Sequence, residues 1–102
     1  MPHPAHVREW ADRFAVLGDP GRLRLLLVLH WRGPTSVKDL AELSELSPTS
    51  VSHALRLLRF AGMVSAERDG RLALYQIDGD AVAPIMTHIV TVDAAFMAEQ
   101  GR

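Results

Sequence analysis

A single turn signal limits the folds open to this chain more than any other feature. Asp69-Gly70 separates two strand-like runs, residues 63–68 and 71–77, in a sequence whose remaining apolar spacing is helical. Asp-Gly between such runs is a strong hairpin signal, because the two-residue turns that match strand twist need positive φ. One hairpin within an otherwise helical chain of 102 residues implies one compact domain, residues 1–102.

The helices are read from spacing and punctuation. Val7, Trp10, Ala11, Phe14 and Leu17 form an apolar stripe, predicting a first helix (α1) over 5–17. Gly18-Asp19-Pro20-Gly21 breaks it. Asp19 suits the cap of a second helix (α2) and Pro20 its first position. That helix runs to about residue 31 and is apolar on most sides, which places it at the centre of the core. Arg32-Gly33-Pro34 ends it. Thr35 or Ser36 caps a short third helix (α3) through residue 43, with Val37, Leu40 and Ala41 inward. After a turn at 44–47, Ser47-Pro48 opens a fourth helix (α4) that runs to residue 61 and stops at Gly62. The strands of the hairpin (β1 and β2) follow. From Asp80 onward the pattern is helical again (α5), with Val82, Ile85, Ile89, Val92 and Phe96 on the apolar face and Pro84 tolerable only near its start.

The expected fold is mainly α with a small β hairpin (α+β), in the order α1-α2-α3-α4-β1-β2-α5. This is the order of a winged helix-turn-helix, with the helix-turn-helix at about 36–61 and the wing at about 63–77.

Composition removes several classes of function. The chain has no cysteine, so it has no disulfide, thiolate metal site or thiol nucleophile. No apolar run approaches the ~18 residues of a membrane span, and residues 23–29 are interrupted by Arg24. Met1-Pro2-His3-Pro4 lacks the pattern of a signal peptide, so a cytoplasmic protein is expected. No nucleophile–base pair has a telling spacing, and no glycine-rich phosphate loop is present. Asp78 with Asp80 is a weak carboxylate signal, so no enzyme is expected.

Residues 39–58 meet the demands of a helix-turn-helix. Ala41 is small where two helices cross, Leu46 closes the turn, and Val51 anchors the second helix, with Leu55 and Leu58 continuing its buried face. Geometry then turns Thr49, Ser52, His53 and Arg56 outward, flanked by Ser50 and Arg59. Hydroxyls, imidazole and guanidinium are groups that read base edges and phosphates in duplex DNA. Arg56 and His53 suit base contact, and Ser50, Ser52 and Arg59 suit phosphate. Arg68 and Arg71 flank the hairpin tip and suit a minor groove or flanking backbone. The bland alternative is a solvated helix face and a hairpin that only completes the fold. Net charge is −1, and residues 36–72 carry five basic and five acidic side chains, so any DNA affinity must come from segregated signs and be strongly salt-dependent.

Leu17-Gly-Asp-Pro-Gly-Arg-Leu-Arg-Leu-Leu26, Asp39-Leu-Ala41, Leu46-Ser-Pro-Thr-Ser-Val-Ser-His-Ala-Leu-Arg-Leu-Leu-Arg59, Ala61-Gly-Met-Val64 and Asp69-Gly-Arg71 with Tyr75 together resemble the ArsR/SmtB family of winged-helix repressors. The resemblance covers about residues 7–96. It implies a homodimer made by the terminal helices, about 5–17 and 80–98. It also implies an inverted-repeat operator and release by an inducing signal, often a metal ion. Trp10, Phe14, Ile85, Ile89, Val92 and Phe96 are the matching apolar surface. Glu45 departs from the family at a turn position usually held by glycine.

The metal positions of the family are largely lost. Its thiolate subgroup has cysteines where this chain has Ser36 and Lys38. Its other metal positions, between the final helices, fall on Gly79, Ala81, Val92 and Ala95. Asp78, Asp80, His88 and Asp93 lie nearby and leave room for a shifted site, or are ordinary surface residues. At the N-terminus, a free Pro2 amine with His3 and His6 would suit nickel or copper, and resembles some nickel sensors of the family. A frayed tail is the alternative. Nickel or zinc is therefore one candidate regulatory ligand. The competing expectations are a regulator that senses no metal, controlled by a small molecule or by abundance, and a winged helix that acts through a second regulatory protein.

Overall fold

The computed structural model describes residues 3–100, with side chains described except at positions 5 and 96–100. The order is α1 (Pro4–Leu17), α2 (Pro20–Arg32), α3 (Val37–Ser44), α4 (Pro48–Phe60), β1 (Val64–Asp69), β2 (Leu72–Ile77) and α5 (Ala83–Gln100). This is the winged helix-turn-helix expected from the sequence.

Each central helix begins on a side-chain cap. The Asp19 carboxylate accepts the Arg22 amide at 3.0 Å, and Pro20 follows, where no intrahelical N–H is needed. Ser36, rather than Thr35, caps α3 by accepting the Asp39 amide at 3.2 Å. Ser47 caps α4 by accepting the Ser50 amide at 3.1 Å, again with proline next.

The core is one apolar cluster with α2 at its centre. Leu25, Leu26 and Leu29 from α2 meet Leu40 and Ala41 from α3 and Val51, Leu55 and Leu58 from α4. Met63, Val64, Val82 and Met86 close the far side. No buried side-chain nitrogen or oxygen among the described residues lacks a hydrogen-bond partner.

Two details differ from the sequence reading. The strands pair from Val64↔Ile77 to Asp69↔Leu72, so the two-residue loop is Gly70-Arg71 and Asp69 is the last strand residue. Gly70 has φ 62, the left-handed conformation that the first loop position of a primed turn requires and that glycine adopts without steric cost. α5 starts at Ala83 rather than Asp80. Pro84 has no amide to donate and must lie in the first turn; the first bond of that turn runs from the Met86 amide to the Val82 carbonyl at 3.0 Å.

The hairpin is also tied back to the helices. Thr35 and Tyr75 form an isolated antiparallel bridge, with reciprocal backbone bonds of 2.9 and 2.8 Å. Thr35 is buried, and its hydroxyl donates to the Gly33 carbonyl at 2.7 Å.

Glu45, between α3 and α4, is the one non-glycine residue with positive φ among those described, at 63°. A side chain in that region costs of the order of 1–2 kcal/mol. Glu45→Gly should therefore raise unfolding free energy by about 1 kcal/mol, less any entropy lost to a more flexible unfolded chain. Urea denaturation measures it, and a variant no more stable than the parent would show that the turn carries no strain.

Candidate nucleic-acid interface

The outward face of α4 is a consequence of its inward face. Val51, Leu55 and Leu58 are buried at 2% exposure or less. At 100° per residue, that seam leaves Thr49, Ser52, His53 and Arg56 on the opposite side, and all four are exposed. Ser50 and Arg59 are exposed on the flanks. α4 contains two arginines and a histidine and no carboxylate. The acids of the segment lie on α3, at Glu45 in the turn after it, and on the hairpin. Asp39 is engaged at 3.7 Å by Arg32, across a half-exposed pair that adds little stability.

Two adjoining clefts mark this surface. The smaller, about 250 Å³, is lined by Pro48, Thr49, Ser52, His53 and Arg56. The larger, about 540 Å³, lies between α4 and the hairpin and is lined by Ser52, Leu55, Arg56, Arg59, Phe60 and Tyr75. Ser52 and Arg56 border both, so the face is continuous. Ser50 has a second task. Its Oγ accepts the Ser47 hydroxyl proton at 3.0 Å and still has its own proton to donate. Arg68 and Arg71 are exposed at the hairpin end, Arg71 within the loop and Arg68 paired with Ala73.

Tyr75 and Phe60 were not among the site residues expected from sequence. Tyr75 reaches the larger cleft because the Thr35 bridge anchors β2 there, a long-range pairing that no local pattern announces. Phe60 is 93% exposed at the end of α4. Its position one turn past Arg56 was the available signal.

The terminal helices carry a second surface. Val7, Trp10 and Phe14 are exposed on one stripe of α1, the two rings tilted by 35° with centroids 6.1 Å apart and the Arg13 guanidinium 4.7 Å from the Trp10 ring. Val90 and Val92 are exposed on α5. Ile85 and Ile89 are only half-exposed, because they also pack against the core of their own chain. The side chain of Phe96 lies outside the described residues.

The candidate metal ligands are not assembled. Among the described residues, no three His, Cys, Asp or Glu side chains come together as a metal site. Asp78, Asp80 and His88 are exposed, and α5 begins three residues after Asp80. His3 and His6 are neighbours, their rings 6.0 Å apart. The Pro2 amine lies outside the described residues. The donor set of a single chain therefore does not fit a resident metal at the α5 positions. Among the described residues no helix is long and apolar enough to cross a membrane.

Known proteins share this architecture. Residues 19–66 match the family model described as bacterial regulatory protein, arsR family. The regulator NmtR of Mycobacterium tuberculosis is 36% identical over 80 residues, which cover 78% of this chain and 66% of NmtR. The chain thus spans just under two thirds of that relative. An HTH-type transcriptional regulator of Methanocaldococcus jannaschii is 39% identical over 77 residues, covering 74% of this chain and 85% of that protein. Among solved structures, the homodimeric winged helix-turn-helix DNA-binding domain of Mb0332 from Mycobacterium bovis superposes with a TM-score of 0.76 at 27% identity, covering 92% of this chain and 87% of that one. The chain belongs to the arsR family of bacterial transcriptional regulators, a family of regulators rather than enzymes.

Proposed function

We propose that this chain is a homodimeric DNA-binding regulator that represses transcription by occupying an inverted repeat in duplex DNA. The observation that carries the reading is the exposed, carboxylate-free face of α4, Thr49, Ser52, His53 and Arg56, set beside a hairpin that ends in two arginines. α4 enters the major groove, where Arg56 pairs with guanine and His53 with a neighbouring base edge. Ser50, Ser52 and Arg59 hold phosphates, and Arg68 and Arg71 lie along the adjacent groove or backbone. Two-fold symmetry sets the two reading helices about one helical turn of DNA apart, so a bound dimer covers a promoter segment.

The test begins with duplexes selected by the wild-type protein from a random pool. On a selected duplex, Arg56→Ala and His53→Ala should each cost about 1–3 kcal/mol and relax sequence preference at one position. Arg68→Ala and Arg71→Ala should each lower the log–log salt slope by about one instead. Full affinity in the Arg56→Ala/His53→Ala double variant would overturn the assignment. Capture of a second regulatory protein without any selected duplex would favour the protein-interaction reading.

The dimer forms through the exposed stripe of α1, Trp10 and Phe14, with Val92 of α5; Ile85 and Ile89 connect that surface to the core. Phe14→Glu should convert a dimer at micromolar concentration to a monomer while leaving helical content intact. Sedimentation equilibrium measures this, and a wild-type monomer at that concentration would remove the proposal.

The inducer is open between a metal and other signals. The adjacency of His3 and His6, one turn apart at 6.0 Å, favours nickel or zinc held at the N-terminus. Isothermal calorimetry should then show binding of nickel tighter than tens of micromolar that is lost in His3→Ala/His6→Ala. Weaker binding leaves Asp78, Asp80 and His88 equally without a ligand role and makes this a regulator that senses no metal.

A further inference from the structure

The turn between α3 and α4 sets the angle at which α4 presents its outward face, and that turn is strained. Glu45 sits in the left-handed region at φ 63, ψ 22, where the chain has no glycine to relieve it. A turn held in such a conformation persists only when its surroundings over-determine it. Local bonds do part of this. Ser44 is buried, and its hydroxyl accepts the Leu46 amide at 3.3 Å. The carbonyl of Ser44, in the last turn of α3, is among the groups a helix end leaves without an intrahelical partner.

That carbonyl is bonded from another helix. Arg24, on α2 and 20 residues away in sequence, donates from Nη1 to the Ser44 carbonyl at 3.0 Å. Three residues earlier on α2, Gly21 faces the same turn. A Cβ placed on Gly21 would lie 3.7 Å from Leu46 Cδ1, so the first turn of α2 lies directly against the turn residues. The neighbouring Arg22 points the other way, donating from Nε to the Val16 carbonyl at the end of α1 at 2.8 Å. One turn of α2 therefore grips both the end of α1 and the turn that aims α4.

We infer that Arg24 is a positioning residue for DNA reading: its guanidinium caps α3 and holds the strained Glu45 turn, and it touches no DNA itself. This rests on the function proposed above. The rival role is direct. Arg24 is an exposed cation, and an exposed arginine near a DNA-facing turn could contact a phosphate. The two roles differ in their salt dependence, because each phosphate contact contributes about 0.9 to the log–log slope.

The experiment uses the full chain with Arg24→Ala, alone and combined with Glu45→Gly. Without DNA, amide exchange at Leu46 should accelerate about tenfold in Arg24→Ala and return to within about twofold of wild type when Glu45→Gly removes the strain. On the selected duplex, affinity should fall about tenfold in Arg24→Ala with the salt slope unchanged, and recover in the double variant. A slope reduced by about one unit would identify a phosphate contact and overturn the inference. Unchanged Leu46 exchange would overturn it equally. Arg24→Met, which keeps the aliphatic stem and removes the donors, supplies the same readings should the alanine variant be too unstable to purify. Failure of the wild-type chain to select any duplex would sink the proposed function, while the exchange measurement still decides the role of Arg24 in the turn.

Discussion

The structure depends on one seam, the contact of Val51, Leu55 and Leu58 on α4 with the leucines of α2. A helix has no freedom to expose a chosen face independently of the one it buries. Once those three side chains leave water, at roughly 1.5–3 kcal/mol each, the outward arc of α4 is determined residue by residue. A rotation of α4 by a single residue would bury Ser52 and expose Val51. The apolar seam therefore fixes which polar groups are available for recognition, although none of its members faces outward.

Near-neutral charge does not conflict with a role at a polyanion, because the signs are sorted by element. α4 carries Arg56, Arg59 and His53 without an acid. Asp39 and Glu42 lie on α3, and Asp39 is half-exposed with Arg32 beside it. A net charge of −1 averages over surfaces that point in different directions. The field in front of α4 is set by its own few groups, which is why attraction to unrelated DNA should be weak while a matched site is still read.

What could be read from sequence was local. The caps at Asp19 and Ser47 were legible because a cap is made within four residues, and the outward face of α4 because helical periodicity links it to Val51, Leu55 and Leu58. The hairpin was legible from Asp69-Gly70, although the loop proved to be Gly70-Arg71, since both frames place glycine near the tip. Long-range features were not legible. Nothing near Thr35 announces its pairing with Tyr75, and nothing near Arg24 announces its bond to Ser44. α5 is apolar around much of its circumference, so its sequence did not separate Met86, fully buried, from Val90 and Val92, which are exposed. The N-terminal histidines show the same limit. Their spacing places them side by side, but spacing alone does not supply the remaining ligands of a metal.

The bridge between Thr35 and Tyr75 gives the hairpin an uneven compliance along its length. At Tyr75, midway along the ladder, β2 is stitched to the segment between α2 and α3, and Val64 is buried at the base. Towards the loop, Glu67 through Leu72 are all exposed and are held in the ladder of the two strands. Such a ribbon behaves as a cantilever, clamped at one end and springy at the other. If the proposed complex forms, Tyr75 stays registered beside α4 while Arg68 and Arg71 sit on the compliant part of the ribbon, which would let them follow a groove whose width changes from one sequence to the next.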